Sequence, residues 1–147
     1  MINKILIDCN IKKLKIFAKF LSKNINPSDV ILLSGELGSG KTTFARYLIL
    51  YLYELYKLSP PEFIKSPTYP IMISYKLKKF DLLHYDLYRL NDIKEIRELD
   101  IIDNLNSNIT LIEWPEIILD QLKKRNHFLI KFNIIKNDIR RLNVSHN

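Results

Sequence analysis

Apolar residues recur in two rhythms along this chain, and the rhythms alternate. Ile11, Leu14, Ala18 and Leu21 fall three or four apart, the spacing that puts side chains on one face of a helix. Asn10 precedes them with a side chain able to cap the first turn, which predicts a helix over 11–23. Pro27-Ser28-Asp29 then turns the chain. Residues 30–34 (VILLS) form a continuous apolar run, as a strand buried on both faces requires. A glycine-bearing loop and a helix over 41–57 follow, and the prolines within 58–62 make that stretch a loop. Strands are predicted over 69–75, 82–86 and 109–113, with a short helix at 93–99 and another after Pro115, which suits a first helical turn. Residues 128–135 and 140–144 read as a hairpin across Lys136-Asn137-Asp138, and 4–8 as a short edge strand.

Strands alternating with helices predict an α/β fold, a three-layer sandwich around a largely parallel sheet, with the C-terminal strands as an antiparallel addition. Its 147 residues fit a single domain, 1–147. No apolar stretch approaches the length that spans a bilayer. The opening segment MINKILIDCNIKKLK lacks the long apolar core of a signal peptide. One cysteine, Cys9, cannot form an intrachain disulfide, so a reducing cytoplasm is the expected setting and a small buried residue the expected role.

The formal net charge is +7. Such a balance can mark a nucleic-acid partner. Here, however, lysine, asparagine and isoleucine are abundant together and acids lie between many of the lysines, so the charge reads as a solvated basic surface. Glycine is more informative. The chain has three, Gly35, Gly38 and Gly40, all inside one six-residue stretch. They stand where backbone must approach a ligand or adopt unusual dihedrals.

That stretch opens GELGSGKT, residues 35–42, which matches the P-loop pattern G-x-x-x-x-G-K-[ST]. The apolar strand before it and the helix after it supply the context the chemistry needs. Backbone N–H groups of Gly38, Ser39 and Gly40 converge on phosphates, and the helix start adds its positive dipole end. Lys41 reaches the β and γ phosphates, the Thr42 hydroxyl binds magnesium, and Thr43 reaches another phosphate oxygen. ATP with Mg2+ is therefore the expected ligand.

A P-loop also needs an acid near the metal, commonly at the carboxyl end of a neighbouring strand. Asp86 ends LLHYD and Glu113 ends ITLIE. Either can hold magnesium, directly or through water, or orient the attacking water. Thr68, in the proline-stiffened KSPTYP segment, stands where a nucleotide switch would sense the γ-phosphate. On local grounds alone the plainer reading, a proline turn opening a strand, is the stronger one. By the same local reading, His84 and Trp114 are packed residues and Arg89 a surface ion-pair partner.

Several P-loop classes lack their marks here. A Ras-like GTPase needs D-x-x-G and N-K-x-D, and a transporter ATPase needs its glycine-rich signature; no glycine lies outside the P-loop to make the glycine-bearing ones. The chain is short for an AAA-type ATPase. A small-molecule kinase, a nucleotide-gated adaptor that does not turn over, and a direct RNA binder remain as alternatives to an ATPase.

GELGSGKTTFAR, KSPTY, HYDLYRL and LIEWPE, in that order, resemble the TsaE family, also called YjeE. The resemblance runs from about Ile11 to Glu116 and more weakly into the C-terminal hairpin. It implies a P-loop α/β ATPase of bacterial tRNA threonylcarbamoyladenosine synthesis, weak alone, that resets a complex of TsaB and TsaD and meets tRNA through it. It also implies that Lys41, Thr42 and Thr43 bind phosphates and magnesium, that Asp86 and Glu113 are the magnesium-linked acids, and that Thr68 belongs to a switch-like loop. Trp114 would lie near the nucleotide, and Arg140 would correspond to a C-terminal arginine beside it. Where the family often has a threonine near the adenine this chain has Leu14, and where glycines are common it has Tyr47 and Asp100.

Overall fold

Val30 and Leu32 pack on one side of a β-sheet, Ile31 and Leu33 on the other, and all four are fully buried. An apolar run of this kind needs cover on both faces, because successive strand side chains point in opposite directions. The computed structural model describes residues 3–147. Met1 and Ile2 of the opening segment lie outside the described residues.

Seven strands form one sheet in the order β1-β7-β6-β2-β5-β4-β3. They are β1 (Asn3–Cys9), β2 (Val30–Ser34), β3 (Met72–Lys76), β4 (Asp81–Asp86), β5 (Ile109–Glu113), β6 (His127–Lys136) and β7 (Ile139–His146). The centre, β6-β2-β5-β4, is parallel. The margins are antiparallel: β3 on β4, β7 on β6, and β1 on β7. The mixed α/β sandwich expected from the alternation is thus present, and the C-terminal hairpin does more than append to it, since β6 pairs directly with β2.

Helices α1 (Ile11–Ser22) and α2 (Lys41–Leu55) cover one face. The Asn10 carboxamide accepts from Lys13 N–H at 3.1 Å and caps α1 as expected. Phe44 of α2 stacks on Phe17 of α1 at 5.6 Å between centroids and meets Phe132 of β6 edge-on at 5.9 Å, which ties both helices to the sheet. The other face carries α3 (Ile93–Glu98), α4 (Ile101–Asn104) and α5 (Leu119–Leu122), packed over Leu32, Leu83, Tyr85 and Ile112. No helix among the described residues is long and apolar enough to cross a membrane.

Three local expectations change. β3 starts at Met72 rather than residue 69, because Pro70 has no N–H to give a ladder and Ile71 takes a left-handed φ of 66°. The segment after Pro115 is a 3-10 turn, Pro115–Ile117, followed by the single-turn α5, in place of one longer helix. Finally, α4 was not anticipated; it follows Asp100, whose left-handed φ of 50° breaks the helical run of α3.

Candidate functional site

Parallel pairing brings the carboxyl ends of β2, β5 and β4 to one edge of the sheet. Leu33 is level with Glu113, and Glu113 with Asp86. The loop 35–40 leaves β2 at that edge and turns into α2 at Lys41. The two candidate acids therefore stand side by side beneath the P-loop, on the α2 side of the sheet.

The loop is held in a narrow space. Gly35 has φ 148°, and a Cβ there would come within 2.7 Å of Phe132 O, so only glycine lets the loop lie against β6. The Lys41 ammonium folds back into the loop, donating to Gly35 O at 2.6 Å and Glu36 O at 2.9 Å. It also lies 4.1 Å from the centroid of the Trp114 ring, within cation–π range. Burial pushes its pKa below the ordinary 10.5, against the opposite pull of Glu113, Asp86, Glu116 and Glu36.

Thr42 donates its hydroxyl to Glu113 Oε2 at 2.8 Å, and Glu113 Oε1 accepts from His84 Nε2 at 2.9 Å. Asp86 is held differently. Its Oδ2 accepts from Thr68 Oγ1 at 2.9 Å and from Ser66 Oγ at 3.4 Å, and its Oδ1 accepts from Tyr88 N–H at 3.0 Å. The proline-flanked loop thus reaches the site through Thr68 and Asp86, while Thr42 and Glu113, the other two metal candidates, form a separate pair next to it.

Two cavities meet at the P-loop and share Gly38, Gly40 and Thr43. One, of about 290 Å³, holds Lys41, Thr42, Thr68, Asp86, Glu113 and Trp114. The other, of about 470 Å³, lies on the opposite side of the loop between the start of α1 and the β6–β7 turn, lined by Cys9, Ile11, Leu14, Asn137, Asp138 and Arg140. Ser39, fully buried, has its hydroxyl 3.4 Å from Lys41 Nζ. Each nitrogen of the Arg140 guanidinium donates to backbone carbonyls, among them Ser39 O at 3.0 Å and Gly38 O at 3.3 Å. Arg140 therefore clamps the P-loop to the hairpin turn while walling the larger cavity.

The donor chemistry suits a hard divalent cation, with one hydroxyl and carboxylate oxygens but no sulfur. No cluster of three or more His, Cys, Asp or Glu side chains able to hold a metal occurs among the described residues. A magnesium ion here would thus need oxygens from a bound phosphate and water, as it commonly does. Oxygen donors from Thr42, Glu113 and Asp86 fit that kind of site.

The structure brings together Gly38, Ser39, Gly40, Lys41, Thr42, Thr43, Thr68, Asp86, Glu113 and Trp114 at one edge. Sequence reasoning missed two partners. His84 read as a packed strand residue, yet its ring hydrogen-bonds Glu113. Ser66 was passed over within KSPTY. The signal for His84 was its spacing two residues before Asp86, which puts both on one face of β4, but its meeting with Glu113 depends on the register between β4 and β5.

A family model described as "Threonylcarbamoyl adenosine biosynthesis protein TsaE" matches residues 9–142. A Rickettsia prowazekii (strain Madrid E) protein named "tRNA threonylcarbamoyladenosine biosynthesis protein TsaE" is 43% identical over 107 residues, 73% of this chain and 71% of its own. One of the same name from Borreliella burgdorferi is 35% identical over 127 residues, spanning 84% of this chain and 87% of that protein. Among solved structures, Bacillus subtilus YdiB superposes with a TM-score of 0.71 at 24% identity, covering 99% of this chain and 87% of that one, a likeness of fold.

Proposed function

The chain belongs to the TsaE family, and on that premise we propose that it is a magnesium-dependent ATPase of tRNA threonylcarbamoyladenosine synthesis, acting on a TsaB–TsaD complex to support its turnover. The observation that carries the ATPase reading is the pair Thr42–Glu113, 2.8 Å apart, at the mouth of a P-loop with Asp86 level beside it. The two cavities on either side of the loop support it further. The polar one suits the phosphates, and the larger one, bounded by Ile11 and Leu14, suits a base.

In this reading the phosphates draw Lys41 from the Gly35 and Glu36 carbonyls onto their oxygens, a better partner for a buried ammonium than two dipoles. The N–H groups of Gly38 to Thr43 and the start of α2 hold the remaining phosphate charge. Magnesium, when bound, neutralises charge that develops on the phosphate oxygens. Thr42 and Glu113 would hold the cation, and Asp86, level with Glu113 at the same strand edge, would orient the attacking water and accept its proton. Thr68 and Ser66 bond Asp86, so movement of the KSPTY loop changes the aim of that carboxylate. A partner pressing on this loop would thereby raise a low basal rate. The reaction runs in the cytoplasm, and the chain meets tRNA only through the complex.

The test is ATP hydrolysis by this protein alone and with TsaB, TsaD and tRNA from the same source. Stimulation by the partners, abolished in Lys41→Ala, is the expected result. Turnover indifferent to those partners would overturn the tRNA-modification reading and favour a small-molecule kinase.

A further inference from the structure

His84 lies in the middle of β4 with no exposed surface. Its ring makes one polar contact. A carboxylate only accepts, so Nε2 carries the proton it shares with Glu113 Oε1 at 2.9 Å. Nδ1 has no hydrogen-bond partner among the described residues. Burying an imidazole with one nitrogen unpaired costs stability that packing beside Leu82 and Leu111 does not explain. What offsets that cost is the bond to Glu113, whose buried carboxylate would lose a donor without it.

Geometry supplies the reason. His84 is opposite Leu111 in the β4–β5 register, and Glu113 is the next residue of β5 on the same face. The ring reaches diagonally to Glu113, itself buried, and takes up one of its oxygens. The other, Oε2, is left to meet the Thr42 hydroxyl at 2.8 Å. Among the described residues only Thr42 and His84 hydrogen-bond the Glu113 carboxylate, so the Nε2–H bond is the one that orients it from the sheet side.

We propose that His84 is a positioning residue: its Nε2–H holds Glu113 in the rotamer whose Oε2 faces Thr42, and so sets how tightly the P-loop site takes up a divalent cation together with a nucleotide. The inference rests on the reading of Thr42 and Glu113 as the cation side of that site. Loss of the bond leaves the phosphate cradle of Gly38 to Lys41 intact, so cation dependence changes while cation-free nucleotide binding does not.

The experiment titrates the full chain with the non-hydrolysable analogue AMP-PNP by calorimetry, without magnesium and across a magnesium series, alongside thermal melting. His84→Leu is expected to raise the magnesium concentration needed by about tenfold or more, the scale of effect for groups that orient a metal ligand. His84→Gln, whose amide nitrogen reaches the place of Nε2, is expected to restore it to near wild type. His84→Asn, too short to reach Glu113, is expected to behave as the leucine variant, and it keeps the comparison available if His84→Leu fails to fold. Wild-type magnesium dependence in His84→Leu, or a His84→Gln protein that melts normally yet binds magnesium as poorly as His84→Asn, would overturn the proposal and leave the ATPase reading standing. A wild-type protein with no magnesium-dependent AMP-PNP binding would remove the premise and the proposal together.

Discussion

Lys41 Nζ sits among carbonyl oxygens of its own loop, with the Trp114 ring against it and Glu113, Asp86, Glu116 and Glu36 around it. Desolvation outweighs the acids and lowers its pKa in the folded protein. The folded state then holds fewer protons on this group than the unfolded chain between the lowered value and 10.5. Stability owed to the group therefore rises as pH climbs through that window, and the cost of burying the ammonium is greatest below it. Without nucleotide, the melting difference between wild type and Lys41→Met is expected to move in favour of wild type as pH is raised from neutrality toward 10.5. A difference that stays flat, or moves the other way, would mean the acids outweigh burial. At this scale much was legible in the residues. A lysine after Gly-Ser-Gly at the start of a helix states its own role, because P-loop chemistry is carried by backbone and a contiguous motif. The parking of Lys41 on Gly35 O and against Trp114 was not legible, since it depends on how the loop folds back and on a ring 73 residues away along the chain.

Helix α2 carries the phosphate end of the site and buries Phe44, Ala45, Leu48, Ile49 and Leu52 against the sheet. Phe44 is fully buried and touches both Phe17 and Phe132, so it couples α1, α2 and β6 close to the loop. Replacing it with alanine removes that apolar area and leaves a cavity, at a cost of about 3–5 kcal/mol. Urea denaturation of Phe44→Ala should show a loss in that range, and one below about 1 kcal/mol would mean that the neighbouring rings collapse into the space. The periodicities predicted α1, α2, β2, β4 and β5 closely because each has one strongly apolar face or run. They misplaced the start of β3 and missed α4. There the outcome turned on left-handed backbone at Ile71, which a β-branched residue rarely adopts, and at Asp100, a residue type that tolerates it without requiring it.

For the molecule as a whole, a ligand that binds only the folded state adds stability by mass action. Magnesium and ATP at about a hundred times their dissociation constant would add about 2.7 kcal/mol, or roughly 5–10 °C in the melting midpoint of a chain this size. That shift is expected in wild type and absent in Lys41→Ala. An equal shift in the variant would place the nucleotide somewhere other than the P-loop.

The amino-acid order alone settled the alternation of strands and helices, the loop 35–42 and the presence of an acid at the end of two apolar strands. Each of these is local, a matter of period, of glycine and of one contiguous motif. Which strands are neighbours is not local. Order and register come from packing the whole sheet, and they alone put β5 between β2 and β4, set Glu113 level with Asp86, and brought His84 across to Glu113. Tertiary structure likewise divided the two acids, giving Glu113 to Thr42 and Asp86 to the Thr68 loop, because those partners lie 71 and 18 residues away along the chain.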